Sequence, residues 1–323
     1  MRKHRFAAGL LALCLASAGL TACSGQQNAA AGTEAAGSGQ TAGFPRTIKH
    51  VKGELELKER PERVASVDIM GTDYLLVLGV APIVSEGFEG TKAKSPIFAK
   101  YAEGMKVVDL GSKTNRETLL EMDPQVIVMT STGKGSSYDE FNKLAPSIAV
   151  DFSLDAASRL MKFAEIVGKE EKAKQVIADF EKLKSEAKAA AAGHKGETAL
   201  FLVANGKDFT VMHPKNFPIY YEEIGLTPVA GLPEDGKIGG RIGIEALSEF
   251  KPDHIFIAAN RREMKAEDPL GLISIWKDHP VWNNLKAVKE NRVYPIDTLA
   301  GDTFFLGQVA GLQAIKEHLG TKK

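Results

Sequence analysis

The chain has 323 residues, 44% of them hydrophobic and 25% charged, which is enough apolar material for a packed core and excludes wholesale disorder. Lys plus Arg and Asp plus Glu both number 41, so no basic excess marks a general nucleic-acid binder. The two cysteines, Cys14 and Cys23, both lie near the start, which excludes a disulfide framework or a thiolate metal site in the body of the chain.

Met1–Arg5 is basic and Phe6–Leu20 is an apolar run, too short to span a bilayer comfortably and of the length of a signal h-region. Residues 1–22 therefore read as a signal peptide. Leu20-Thr21-Ala22-Cys23 resembles the lipobox of bacterial lipoproteins, in which the signal is cut before the cysteine and the cysteine is lipidated. The resemblance implies a protein held on the extracytoplasmic face of the cell membrane by acyl chains on Cys23, without an ATP supply. Cleavage would remove Arg2, Lys3 and Arg5 and no acid, leaving 38 of the 41 basic residues against 41 acidic ones, a formal charge of −3. Residues 23–43, rich in Gly, Ala, Ser, Thr and Gln, read as a flexible tether, with folded structure from Phe44.

From there short apolar runs alternate with helical stretches. Strands are expected at Val64–Val67, Ile83–Val84, Val107–Leu110, Val126–Met129 and Ile148–Val150, with helices at Gly71–Leu78, Glu117–Met122 and Tyr138–Leu144. A second series runs through Ala199–Val203, Tyr220–Ile224, Glu245–Phe250, Ile255–Ala258 and Val293–Pro295 to a last helix, Phe304–Leu319. Such alternation predicts α/β lobes with mostly parallel central sheets. Between the series, Leu160, Phe163, Ile166 and Val167 and then Val176, Ile177, Phe180 and Leu183 line a helical linker, with Gly168 as a break or kink. Glu170–Ala191 alone would be about 33 Å long, a spine that resists wide hinge bending. The expected organisation is an N-terminal lobe over 44–154, a linking helix over 155–193 and a C-terminal lobe over 194–323. The halves echo one another at an offset of 128, where Glu117, Leu119, Glu121, Pro124 and Ile127 match Glu245, Leu247, Glu249, Pro252 and Ile255. Each copy is a short helix stopped before a proline and followed by an apolar strand, which suggests a duplicated lobe.

The ordered set Arg60–Asp68, Leu75–Ile83, Asp109–Val128, Leu144–Val150, Ile242–Ile257 and Val281–Asp297 resembles the substrate-binding lipoproteins of ABC importers, in the branch that takes ferric siderophores, haem or cobalamin. The resemblance runs from about Thr47 to Leu319. It implies two Rossmann-like lobes joined by one long spine helix, as in class III periplasmic binding proteins, with the ligand in the cleft between them. Gln125 departs from the Asp usual in the family, mirrored here by Asp253, and is expected to affect a strand start rather than ligand choice. The cleft loops would be Asp68–Gly71, Glu86–Gly90, Gly111–Asn115, Thr130–Gly135, Gly206–Phe217, Gly239–Arg241 and Asn260–Arg262, beyond the carboxyl ends of strands.

A ferric siderophore brings its own oxygen ligands for iron, so no cofactor and no protein-held metal is implied. Anionic chelates favour Arg and Lys in a shielded cleft. Arg241, after two glycines, is the leading candidate. Arg261 and Arg262 follow a strand end, where adjacent side chains diverge and one at most would face the ligand. Lys113, Lys207 and Lys215 are further cations, and Phe88, Phe217, Tyr220 and Phe304 are aromatic candidates. Lys215 stands where hydroxamate-binding relatives commonly offer an Arg. Solvated charges and core aromatics are the competing reading for all of these. In the family one glutamate per lobe docks into the permease, and Glu117 and Glu245 match that position. Helix-start electrostatics, with Thr114 and Glu117 as a capping box, are the alternative.

Gly231–Ile238 falls short of a phosphate-binding loop because Ile238 replaces the hydroxyl. Ser185 and Lys188 match SxxK on a charged helix and read as solvated. His50, His194, His213, His254, His279 and His318 are scattered with no i,i+4 pair, so direct zinc or manganese binding is not expected, His213 being the one in a cleft loop. The reading is thus a monomeric, lipid-anchored binding protein, not an enzyme, that passes a ferric siderophore to an ABC permease and contacts no nucleic acid. Cobalamin or haem is the alternative ligand. An extracytoplasmic hydrolase or redox enzyme is the rival of another class, and no convincing nucleophile–base pair supports it.

Overall fold

The computed structural model describes residues 43–232, 240–268 and 270–320. The expected signal peptide, Cys23, the expected tether up to residue 42 and most of the Gly231–Ile238 loop lie outside the described residues.

Two separate sheets organise the described chain. The first orders its strands Val108–Asp109, Val84–Ser85, Val64–Ser66, Val126–Thr130 and Ser147–Val150, with every neighbour parallel. Val64–Ser66, Val126–Thr130 and Ser147–Val150 are buried at each residue, as a parallel sheet covered on both faces requires. The second orders Arg241–Ile242, Phe209–Val211, Thr198–Ala204, His254–Ala259 and Val293–Ile296. Its last three strands are parallel, and Phe209–Val211 runs antiparallel between two of the others. A short strand, Thr227–Pro228, adds to Thr198–Ala204 in parallel. An antiparallel hairpin, Arg46–His50 with Gly53–Leu57, rests on the first sheet through the Val51 amide, which donates to the Ala149 carbonyl at 3.2 Å.

The linker is two helices, because Gly168 terminates the first rather than kinking a single one. Asp155 caps Ala156–Val167 by accepting from the Ser158 amide at 2.8 Å, and Gly168 closes it at φ 63°, the left-handed geometry that suits glycine. The spine helix Glu170–Ala191 follows. Its buried Ala173, Phe180, Ala187 and Ala191 form one stripe that packs on the return helix Phe305–Gly320.

Both lobes share one core. Tyr74 of the first lobe stacks on Phe163 of the linker with ring centroids 5.1 Å apart and meets Phe305 of the second lobe edge-on at 6.1 Å. Phe305 in turn lies 4.9 Å from Phe180 of the spine. Separate clusters fill the outer faces: Val67, Leu119, Ile127 and Phe141 in the first lobe, and Phe209, Leu247, Trp276 and Trp282 in the second.

Reciprocal caps tie the lobes further. Asp73, fully buried on the first-lobe helix Ile69–Val77, accepts from the Phe305 amide at 2.8 Å and the Leu306 amide at 3.3 Å, at the start of the return helix. Asp297 of the second lobe accepts from the Ser95 hydroxyl at 2.8 Å and the Ile97 amide at 3.0 Å, at the start of the first-lobe helix Pro96–Tyr101. Each carboxylate thus satisfies orphan amides on the opposite lobe.

The echo at offset 128 is visible in the backbone. The helices Arg116–Glu121 and Ile244–Phe250 each lead to a left-handed residue, Asp123 at φ 45° and Lys251 at φ 46°, then to a proline and a buried strand. Gln125 accepts from the Glu62 and Arg63 amides, and Asp253 accepts from the Thr198 amide. Both side chains therefore anchor the start of the neighbouring central strand.

Candidate ligand-binding cleft

Loops at the carboxyl ends of the strands of both sheets face one another. Arg261, just beyond His254–Ala259, donates from Nη1 to the Thr91 hydroxyl at 3.3 Å, and Lys94 donates from Nζ to the Arg261 carbonyl at 3.0 Å. Thr91 and Lys94 belong to the segment that follows strand Val84–Ser85.

On the first-lobe side, buried Asp68 joins two strand ends. Its Oδ1 accepts from the Gly71 amide at 2.6 Å, and its Oδ2 accepts from the Thr130 amide at 2.7 Å. Burial pushes this carboxyl above its ordinary value, against the pull of those amide bonds. The loop after Thr130 folds so close that a Cβ on Gly133 would come within 2.6 Å of Asp68 Oδ2. That turn brings Lys134 to 3.0 Å from Glu86, whose carboxylate also accepts from the Thr114 hydroxyl.

On the second-lobe side, a polar floor is built from Asn205 and Asn260. Asn260 donates to Asn205 Oδ1 at 2.7 Å, and Asn205 donates to Asp208 at 2.7 Å and to Thr210 at 3.1 Å. A cavity of about 250 Å³ opens beside it, bordered by Thr210, Asn260, Arg261, Arg262 and Asp302. Arg261 lies 3.6 Å from Asp302 and 5.7 Å from the Phe304 ring centroid. A second cavity, of about 340 Å³, lies between Phe152–Arg159 and Lys215–Ile219 and is also bordered by Thr303. Arg159 there is 5% exposed, donates to the Phe152 carbonyl at 3.0 Å and lies 4.1 Å from the Phe152 ring centroid.

The fold redistributes the sequence candidates. Arg261 and Arg262 border one cavity together, against the expectation that they diverge, because the chain leaves the strand in a turn at this point. Lys215 and Phe217 border the second cavity with Arg159. Arg241 is 58% exposed, lies 3.3 Å from Asp208 and 3.8 Å from Glu263, and borders neither cavity. Lys113 and Lys207 are exposed loop residues. Phe88 and Tyr220 are corrections: both are fully buried, Phe88 packing edge-on against Phe98 and Tyr220 stacking on Phe201, so neither offers a face to a ligand. Phe304 is buried beneath Arg261.

Arg159, Glu86 and Lys134 were missed. Arg159 sits in a helix whose apolar spacing hides it, and the Glu86–Lys134 pair joins two strand ends that are distant in sequence. Glu117 and Glu245 are exposed in the first turns of equivalent helices, each following an edge strand of its sheet. The Thr114 capping box does not form; Asn115 is the cap, accepting from the Glu117 and Thr118 amides.

The cleft is therefore a polar groove with each lobe supplying both cations and acids. Lys134 faces Glu86, Arg261 faces Asp302, and Arg241 faces Asp208 and Glu263, so positive potential is local and partly compensated. The family described as Periplasmic binding protein matches residues 64–299. The chain is 27% identical over 263 residues to the Iron(3+)-hydroxamate-binding protein FhuD of Bacillus subtilis (strain 168), covering 78% of this chain and 79% of that relative. It is 28% identical over 329 residues to the Iron-uptake system-binding protein of Bacillus subtilis (strain 168), covering 99% of both. Among solved structures it is similar to the triscatecholate siderophore binding protein FeuA from Bacillus subtilis complexed with Ferri-Bacillibactin, with a TM-score of 0.70, 27% identity and coverage of 85% of this chain and 98% of that one.

Proposed function

Because this chain belongs to the periplasmic binding protein family, we propose that it captures a ferric siderophore between its lobes and delivers it to the permease of an ABC importer. Members of the family bind solutes and do not transform them; the chain is a binding protein and not an enzyme. The observation that carries the ligand reading is the groove itself, with Arg261 and Arg262 on one cavity and Arg159, Lys215 and Phe217 on the next. Guanidinium groups and aromatic edges suit a chelate whose iron is already enclosed and whose periphery offers oxygen acceptors. The names of the relatives support the same class. Delivery is read from Glu117 and Glu245, one exposed acid on each lobe in equivalent positions. Acylation of Cys23 would hold the protein at the extracytoplasmic face of the membrane; no helix among the described residues is long and apolar enough to cross one.

Calorimetric titration tests the ligand. Trp276 and Trp282 pack against Phe209 in the outer cluster of the second lobe, so their fluorescence is a poor reporter of the cleft. Submicromolar binding of a ferric catecholate, hydroxamate or citrate chelate, absent for the iron-free chelator, is expected. Tight binding of haem or cobalamin with no response to any ferric chelate would reverse the assignment.

A further inference from the structure

The two central strands of the second sheet, Thr198–Ala204 and His254–Ala259, begin side by side at the end of the lobe opposite the cleft. Glu197 immediately precedes one strand and His254 heads the other. His194 ends the short turn after the spine helix. The sequence spacing gives no sign of it, yet the ligand atoms of these three residues all lie within 4.8 Å of one another. Glu197 Oε2 is 2.6 Å from His194 Nδ1 and 2.8 Å from His254 Nε2.

The atoms behind the rings decide what this cluster wants. His194 Nε2 is 3.1 Å from the Leu319 carbonyl, which can only accept, so Nε2 carries the hydrogen. His194 Nδ1, 2.6 Å from a carboxylate oxygen, must then either carry a second hydrogen or share a metal ion with that oxygen. His254 Nδ1 is 3.2 Å from the Tyr294 hydroxyl, which can receive a hydrogen from it and so free Nε2 as a ligand. A carbonyl behind one imidazole and a hydroxyl behind the other are the partners that fix the tautomer of metal-bound histidines.

The charge balance is compatible with a metal. Arg292 donates to the other Glu197 oxygen, Oε1, at 2.9 Å and leaves Oε2 to the histidines. The Arg292 charge is shared with Glu290, 3.3 Å from its Nε. His254 is almost wholly buried, while His194 and Glu197 are partly exposed, which leaves a way in from solvent.

We propose that His194, Glu197 and His254 bind one divalent transition-metal ion of the zinc type, with water in the fourth position. Two imidazoles and one carboxylate are a zinc donor set. Tetrahedral zinc with bonds of about 2.0–2.1 Å spaces its ligand atoms about 3.3 Å apart, so the two Glu197–histidine separations have to lengthen by about 0.5–0.7 Å. Bound there, the ion would pin the end of the spine helix and, through Leu319, the end of the return helix to the base of the sheet. The site is at the opposite end of the strands from the cleft and is independent of the transported ligand.

The test titrates the purified full chain, without a histidine tag, with Co²⁺ and then Zn²⁺. Expected are visible d–d bands of low-coordinate Co²⁺ at one ion per chain, their loss on Zn²⁺ addition, and a higher Tm with Zn²⁺. His194→Ala and Glu197→Gln, both at partly exposed positions, should keep the circular dichroism spectrum and weaken Zn²⁺ binding by about tenfold or more. No bands and no Tm change at micromolar metal would mean that a proton alone fills the gap and would overturn the site. Unchanged binding in both variants would put the ion elsewhere and overturn it equally.

Discussion

Replacing Asp73 by asparagine removes a charge from the junction between the lobes while keeping a carbonyl oxygen for the Phe305 and Leu306 amides. Burial pushes the Asp73 carboxyl up from 3.8 to about 7, against those amide bonds and the nearby Arg159 guanidinium. Each tenfold in proton affinity is worth about 1.4 kcal/mol, so the step to about 7 corresponds to roughly 4 kcal/mol of penalty on the ionised form, an upper bound. The sign follows from proton counting. Between 3.8 and about 7 the folded chain holds a proton that the unfolded chain has lost, so stability falls as pH rises through that window. Above it the penalty is present in full. Asp73→Asn has no such slope. Urea unfolding of both proteins between about pH 5 and about pH 8 should show the variant gaining on the wild type as pH rises, and comparing the two cancels every other carboxylate. Parallel pH profiles would refute the reasoning, because they would mean that the buried carboxyl does not titrate in this range. Asp73→Ala serves as the control: it leaves two amides without their acceptor and should cost about 1–3 kcal/mol even where the acid is neutral.

Arg261→Ala should weaken binding of an anionic ferric chelate by about 1–3 kcal/mol, whereas Arg241→Ala, exposed and paired with two acids, should change it by less than about 0.5 kcal/mol. Calorimetry showing the reverse order would return Arg241 to the centre of the site. Glu117→Ala combined with Glu245→Ala should leave chelate affinity intact and impair cellular iron uptake; normal uptake would remove both from docking. Lys251→Gly relieves a left-handed residue and should stabilise by up to about 1 kcal/mol in urea melts, the loss of chain stiffness offsetting part of the gain. A clear loss of stability would show that Lys251 is held by more than its backbone.

What was legible in the sequence is what local patterning dictates. The buried runs at Val126–Thr130 and His254–Ala259, the break at Gly168 and the repeated helix–proline–strand unit are all short-range signals. Even the matching left-handed residues, Asp123 and Lys251, fall where the offset of 128 puts them. What was illegible depends on distant segments meeting. Phe88 and Tyr220 sit beside loop residues in sequence, yet their rings turn inward, where Phe98 meets one edge-on and Phe201 stacks on the other. Asp73 reads as one polar residue in an apolar helix, and its purpose lies 232 residues away at Phe305. His194 and His254 look scattered because only the parallel register of two strands brings their ends together. Thr114 fits the capping-box spacing, but Asn115 is one residue nearer the helix and takes the amides.

The contacts between the lobes divide into two kinds, and the division bears on capture. Behind the cleft, the Asp73 and Asp297 caps and the Tyr74, Phe163 and Phe305 rings join the lobes through groups that are largely shielded from water. Wide opening would strand amides at two helix starts and expose part of a shared aromatic core, each a cost of order kilocalories. At the cleft edge the links are of another sort. Arg261 reaches the buried Thr91 hydroxyl at 3.3 Å and lies 3.6 Å from Asp302, a long hydrogen bond and a loose ion pair that leave its Nε without a close partner and open to a ligand oxygen. A chelate entering the 250 Å³ cavity thus meets a guanidinium whose present partners are exchangeable, on a frame whose rear is fixed. On the ligand reading proposed above, binding would trade Arg261's present partners for ligand oxygens, with small relative movement of the lobes. The same frame would hold Glu117 and Glu245 at nearly constant separation, so under the proposed docking role a permease that tells loaded from empty would have to sense the rim of the cleft as well as those two acids.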